Sequence, residues 1–341
     1  MGSVFDALKI GDDDAAGTET HGEGQCSTFA LYSPLWRDGE KRNQRYGSGC
    51  RRRSAVGNLY AMPGSRRRRS CFQVAPLCLG VFAVSLLAGG PRIAVLTNFE
   101  GGSIGKVEEV SPTHLRCAVK GQADQDHRNR QANWYYFELT NLPHAPITID
   151  LVDLAGEYNY HGPEYSVVEG VRPVYSDDGL HWRNFTDQQV SWDPHEPHLT
   201  LQFTPAHAHL WIAHVTPYTN RNLVALLDSF RRSPYLAVES VGRTVEGREM
   251  PLVTITNPRA GEGKKRVIWL MFRQHAWETG SSWACEGAVR FLLSSDARAL
   301  RLRDQMIYKI FPLADPDGVA HGGVRFNVNG YDLNRNWDTF R

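Results

Sequence analysis

His275 and Glu278 lie three residues apart in the run Arg273-Gln-His-Ala-Trp-Glu-Thr-Gly280. At that spacing an imidazole and a carboxylate share one turn and can converge on a single ion, and both are suitable ligands for Zn²⁺. The pair alone is weak, because His-x-x-Glu arises often by chance and reads equally as an exposed pair at a helix start. A second polar segment lies downstream. It comprises Asp315-Pro-Asp-Gly318, Gly323-Val-Arg325-Phe-Asn327 and Asn329-Gly-Tyr-Asp332-Leu-Asn334-Arg335-Asn336-Trp337. A third group is His195, His198, His207, His209 and His214, with His207 and His209 expected on one face of a strand. No Cys or carboxylate stands beside them at ligand spacing, so ordinary polar edge positions are preferred there over a second metal site.

The elements that must hold these residues follow from pattern. The 341 residues allow about two domains at ~150 residues each. A formal net charge of +1 gives no reason to expect a nucleic-acid partner. Early basic runs at Arg51–Arg53 and Arg66–Arg69 read as targeting or unstructured segments. Six cysteines, four of them before residue 80, make no disulfide framework. Residues 1–61 carry no sustained period. From Met62 a basic start, an apolar run over Val74–Ala88 and small residues to Gly90 form the three parts of a secretory signal peptide, if translation starts at Met62. A membrane anchor and a functionless translated upstream region are the other readings of 62–90. The compartment is accordingly secreted or periplasmic with that start and cytoplasmic otherwise.

Residues 92–218 read as β. Trp134–Leu139, Ile147–Leu151, Leu199–Phe203 and Leu210–Ala213 are short strands, punctuated by Asn141-Leu-Pro143, Asp177-Asp-Gly179 and Asp193-Pro194. That spacing predicts an all-β antiparallel sandwich. The period then changes. Asn220 is placed to cap a helix whose stripe is Leu223, Leu226, Leu227 and Phe230. Met250–Thr256, Arg266–Phe272 and Gln305–Phe311 read as strands, the second nearly all apolar and so expected to be buried on both faces. A helix over Ser281–Leu293 is predicted to present Trp283, Ala284, Gly287, Ala288, Phe291 and Leu292 on one face. Strands alternating with helices over 219–341 indicate an α/β layer with flanking helices.

His275 and Glu278, followed in order by Pro316-Asp-Gly318, Arg325 and Asn334-Arg335, resemble the zinc carboxypeptidases of the carboxypeptidase A type, most closely the cytosolic carboxypeptidase branch. The likeness covers roughly residues 93–341. Phe99-Glu-Gly-Gly-Ser103, the Trp134–Leu139 strand and Thr216-Pro-Tyr218 are similar to the β-sandwich that precedes the catalytic domain in that branch. The resemblance implies a hydrolase removing C-terminal residues from peptides or proteins. It makes His275 and Glu278 two of three ligands of Zn²⁺, and Arg325 the stabiliser of the oxyanion. It makes Asn334 and Arg335 the holders of the substrate's C-terminal carboxylate, which a guanidinium fork matches. Asp332 is expected to support a turn or a ligand, not to bind the metal itself. Asp315 stands where the family usually has Asn, and Trp277 where other branches have Arg or Gly.

In the family a third ligand, a His, and a general-base Glu follow the Asn-Arg pair. The six residues after Arg335 include neither, and His321 lies on the wrong side of the motif. The expectation is therefore a truncated chain with an incomplete mixed sheet, which binds zinc weakly and hydrolyses no peptide. A zinc amidohydrolase of small N-acyl amino acids, and a non-catalytic β-sandwich module joined to a remnant half-domain, are the competing readings.

Overall fold

The computed structural model describes residues 91–337, apart from 128–129, 159–160, 262 and 264. The basic runs at 51–53 and 66–69 and the stretch at 62–90 lie outside the described residues. Among the described residues no helix is long and apolar enough to cross a membrane.

The amino-terminal half runs through β1 (Ala94–Leu96), β2 (Val107–Ser111), β3 (His114–Ala118), β4 (Tyr136–Thr140), β5 (Ile147–Val152), β6 (Ala155–Tyr158) and β7 (His161–Tyr165). It continues with β8 (Val174–Ser176), β9 (Arg183–Asn184), β10 (Val190–Asp193), β11 (His198–Phe203) and β12 (His209–Ala213). One five-stranded sheet has the order β1-β4-β12-β8-β9 and a second the order β10-β11-β5-β3-β2. Period-two alternation explains their shared core. Ile147, Ile149 and Leu151 of β5 point inward, aligned in register with Phe203, Leu201 and Leu199 of β11. Phe137 and Leu139 of β4 and Leu210 and Ile212 of β12 enter the same cluster from the other sheet. One expectation is corrected: the layer is not wholly antiparallel, because β3 runs parallel to β5. No hairpin joins those two strands. The chain leaves β3 for β4 in the opposite sheet before it returns as β5, and a crossover of that kind permits parallel pairing.

The carboxyl-terminal half contains α1 (Asn220–Phe230), β13 (Leu236–Arg243), β14 (Glu249–Ile255), β15 (Arg266–Met271), α2 (Thr279–Leu292), α3 (Ala297–Gln305), β16 (Met306–Phe311) and α4 (Pro316–Ala320). Thr219, not Asn220, caps α1: its backbone N–H donates to Asn222 Oδ1 at 2.8 Å. The Asn220 amide instead donates to Glu100 Oε1 at 2.7 Å and to the Pro316 carbonyl at 3.0 Å, which ties α1 to both halves of the chain. The sheet order is β13-β14-β16-β15, antiparallel except for the parallel pair β15–β16. Val253, Ile255, Tyr308 and Ile310 pack with Leu223 and Leu226 of α1 and Cys285, Val289 and Leu292 of α2.

Two further expectations are corrected. The apolar strand β15 is not buried on both faces. It lies at the sheet edge, and although Ile268 and Leu270 pack inward, Val267, Trp269 and Met271 are exposed, Trp269 to 66%. No described helix covers that face. Helix α2 buries Ser282, Cys285, Val289 and Leu292, whereas Trp283, Ala284 and Gly287 face solvent. The predicted stripe is rotated because the small polar residues Thr279 and Ser282 pack beneath the preceding loop and take the inner positions.

Candidate functional site

Strands β15 and β16 are parallel, so the loops after both open on the same side, the usual crevice in an open α/β sheet. Phe272 N donates to the Phe311 carbonyl at 2.9 Å and Ala314 N to the Phe272 carbonyl at 3.1 Å, which fixes the two loops together. Arg273 then adopts φ +56°, a left-handed conformation that turns the chain sharply. Its guanidinium is buried, with the residue 3% exposed. Nε and Nη2 donate to the Ala276 carbonyl at 2.9 and 2.6 Å, and Nη1 to Ser282 Oγ at 3.0 Å. Ser281 Oγ accepts from Arg273 N at 3.2 Å and donates to the Glu278 carbonyl at 2.9 Å. A buried cation and two serines of the first turn of α2 therefore fold 273–278 into a compact curl. Burial pulls the Arg273 guanidinium down to about 10, still protonated at neutral pH.

The curl brings His275 and Glu278 together, with His275 Nδ1 2.9 Å from Glu278 Oε1. The opposite ring nitrogen, Nε2, lies 2.9 Å from Asp332 Oδ1. Arg325 Nε donates to Asp332 Oδ2 at 2.6 Å, and Asn334 N donates to Asp332 Oδ1 at 2.8 Å. Burial lowers the His275 imidazole pKa, but its hydrogen bonds to the Asp332 and Glu278 carboxylates outweigh it and the net shift is upward. Asp332 shows the converse: burial raises it, yet His275 and Arg325 hold it down at about 2. The Glu278 side chain is partly exposed and lines a cleft of about 450 Å³ with Trp277, Val215 and Trp283.

The structure thus joins His275, Glu278, Arg325 and Asp332 in one chain of contacts and attaches Asn334 through its backbone. It does not bring the Arg335 side chain into that chain: Arg335 is exposed and its Nη1 donates to the Asn334 carbonyl at 2.8 Å. The Asn334 amide oxygen accepts from Trp337 Nε1 at 2.9 Å. His321 is exposed and paired with Glu246 at 2.7 Å. His207 precedes β12 and so does not share a strand face with His209, which pairs with Glu138 at 3.1 Å. His214 is buried against Tyr135 and Trp277, and burial holds its imidazole down at about 4. Asp315 caps α4 by accepting from Gly318 N at 2.9 Å. Its carboxyl is raised to about 6, first by burial and then by Asp317, against the lowering effect of the Gly318 bond, His275 and Arg273. Arg273 is the residue that sequence reasoning passed over. The available signal is an arginine two residues before His275; its burial and left-handed backbone are not legible from composition.

An imidazole whose Nε2 is fixed by a carboxylate while Nδ1 faces a second carboxylate is the orientation that metal-binding histidines adopt. Among the described residues no group of three or more His, Cys, Asp or Glu is placed to hold an ion. The donor set therefore fits two of the three protein positions of a catalytic zinc site and leaves the third unfilled.

Residues 223–340 match the family model described as zinc carboxypeptidase, and residues 95–215 the model described as cytosolic carboxypeptidase N-terminal domain. The chain joins a zinc carboxypeptidase domain to a cytosolic carboxypeptidase N-terminal domain. Cytosolic carboxypeptidase 6 of Mus musculus is 29% identical over 266 residues, covering 73% of this chain and 48% of the relative. Cytosolic carboxypeptidase 3 of Mus musculus is 27% identical over 266 residues, covering 70% of this chain and 25% of the relative. The chain thus spans between a quarter and a half of the length of these curated relatives. Among solved structures, a metallo-carboxypeptidase from Burkholderia cenocepacia superposes with a TM-score of 0.64 at 29% identity, covering 73% of this chain and 63% of that one. Its family is a hydrolase family, and the α/β carboxypeptidase fold is common to both.

Proposed function

We propose that this chain contributes the first part of a zinc metallocarboxypeptidase site that removes C-terminal residues from peptides or proteins. The observation that carries the proposal is the contact chain Glu278–His275–Asp332–Arg325, which places two metal-binding side chains and a fixed cation around one carboxylate. His275 through Nδ1 and Glu278 through its carboxylate would hold Zn²⁺. Asp332 would fix the ring orientation and strengthen the ligand by accepting from Nε2. When bound, zinc supplies Lewis acidity and acidifies water. Arg325 would offer a cation already oriented by Asp332 to developing negative charge on the scissile carbonyl, where a fixed charge acts without reorganisation cost. Asn334 and Arg335 would receive the terminal carboxylate; the Arg335 guanidinium is exposed, with Nη1 donating to the Asn334 carbonyl, and would turn toward that ligand. The N-terminal domain match favours this peptidase reading over an amidohydrolase of small N-acyl amino acids. Relatives named cytosolic carboxypeptidases favour the cytoplasm as its compartment.

The test is binding of fluorescent peptides that differ only in a free or amidated C-terminus, followed by anisotropy. The free acid is expected to bind at least ~10-fold more tightly, a margin set by one charge-assisted bidentate contact, and Arg335→Gln to erase the difference. Equal affinity for acid and amide would overturn the proposal.

A further inference from the structure

The loop that carries Arg325 is held from the amino-terminal sheets, far away in sequence. Gln122 Oε1 accepts from three consecutive backbone N–H groups, those of Val324 at 2.9 Å, Arg325 at 2.7 Å and Phe326 at 2.9 Å. Its Nε2 donates to the Phe326 carbonyl at 2.6 Å. Val324 and Phe326 are buried, so water cannot readily replace that oxygen. Successive N–H groups that point at one acceptor form a concave nest, a local curvature which needs an oxygen at its centre. Gln122 is itself rigidly presented: its backbone exchanges two bonds with Gln131, at 2.8 and 2.7 Å, and the Gln131 amide donates to the Glu157 carbonyl at 2.9 Å.

Both ends of the loop press on the same sheets. Gly101 N donates to the Ala320 carbonyl at 3.0 Å, and a Cβ at Gly322 (φ +62°) would meet the Gly101 and Gly102 carbonyls at 2.7 Å. Gln125 N donates to the Gly330 carbonyl at 3.2 Å, and a Cβ at Gly330 would lie 2.4 Å from Gln125 N. Pinned at both ends, the loop has three successive N–H groups of its middle set by Gln122, while the Val324 carbonyl accepts from Trp277 N at 3.1 Å. The backbone of Arg325 is thus fixed by Gln122 and its side chain by Asp332.

We infer that Gln122 is a positioning residue for Arg325, and that the amino-terminal sheets are a working part of the candidate active site. The inference rests on the reading of Arg325 as the oxyanion-stabilising cation. Gln122 does not touch the substrate. It acts by holding three backbone amides in the curvature that aims the Arg325 side chain at Asp332 and the crevice. A plain inter-domain glue would make a different prediction: its loss would lower overall stability without singling out Arg325.

The experiment compares Gln122→Leu, Gln122→Glu and Thr200→Val in the full chain. Thr200→Val removes one bond, to Asp150 at 2.8 Å, within the amino-terminal sheets and away from the loop. The readouts are the NMR signal of the Arg325 Nε–H, protected by its bond to Asp332, and the rate of tryptic cleavage after Arg325. Gln122→Leu is expected to remove the protected Nε–H signal and to speed cleavage at least ~10-fold, the change produced by a local opening that becomes an order of magnitude more populated. Gln122→Glu keeps the three acceptor bonds but loses the donor to the Phe326 carbonyl and is expected to retain part of the signal, while Thr200→Val leaves both readouts unchanged. Should Gln122→Leu fail to fold, Gln122→Asn carries the same expectation in smaller measure, since its amide falls about one C–C bond (~1.5 Å) short. The inference is overturned if the folded variant, Leu or Asn, keeps the wild-type signal and cleavage rate, or if Thr200→Val moves them equally. Neither readout needs zinc or peptide, so failure here is distinct from failure of the metallocarboxypeptidase reading.

Discussion

Replacing Arg273 by Met keeps a long apolar stem in the buried channel and removes the three side-chain donor contacts. The Ala276 carbonyl, itself buried, loses both of its guanidinium partners, and Ser282 Oγ loses one. Three bonds from a charged donor at ~1.5–3 kcal/mol each set a gross loss of ~5–9 kcal/mol. Against this stands the relief of no longer burying a cation. The fall from 12.5 to about 10 corresponds to ~3 kcal/mol of such penalty. The net expectation is a loss of ~2–6 kcal/mol, which at ~2–4 °C per kcal/mol for a body of this size lowers the melting temperature by roughly 4–24 °C, centred near ~12 °C. Arg273→Lys restores less than half, because one ammonium cannot span Ala276 and Ser282 with the same fork. Circular dichroism melts of the three proteins at pH 7 are the assay. A Met variant that melts within ~2 °C of wild type would refute the reasoning, since it would mean that the curl at 273–278 is held by something other than the buried guanidinium.

Two further substitutions test the surroundings of the site. The folded pKa of Asp315, about 6, exceeds its ordinary 3.8, so the stability linked to its neutral form is complete below ~pH 4 and lost as pH rises through about 6, to the extent of ~3 kcal/mol. Asp315→Asn removes that titration: melting curves from pH 4 to 8 should show the variant gaining on wild type with rising pH, and parallel curves would contradict this. Gly330→Ala should cost ~2 kcal/mol or more, because φ +79° strains an L residue and the new Cβ meets Gln125 backbone; an unchanged urea midpoint would count against the close approach.

What the sequence revealed of the site is what short-range chemistry dictates. His275 and Glu278 could be paired from spacing alone because one turn brings them together, and the structure places them 2.9 Å apart. The strand at Ile147–Leu151 and the α1 stripe were legible because each faces a single core with a plain period of two or 3.6. The inner face of α2 was misread because hydrophobicity favoured Trp283 and Ala284, whereas the loop above demanded Ser282. Strand β15 is exposed on one face because an apolar run reports what could be buried, whereas burial depends on which elements lie alongside, and an incomplete sheet leaves β15 at its edge. Gln122 and the loop at 324–326 lie about 200 residues apart, and no local pattern connects an amide to three backbone N–H groups at that distance.

The proposed assignment of His275, oriented by Asp332, and of Glu278 as zinc ligands is tested most directly by Zn²⁺ affinity in competition with a chromophoric chelator. One weak site is expected, abolished by His275→Ala and weakened ~10–100-fold by Asp332→Asn, the usual effect of removing a carboxylate that orients a metal-bound histidine. Zinc binding that is indifferent to His275→Ala would contradict it.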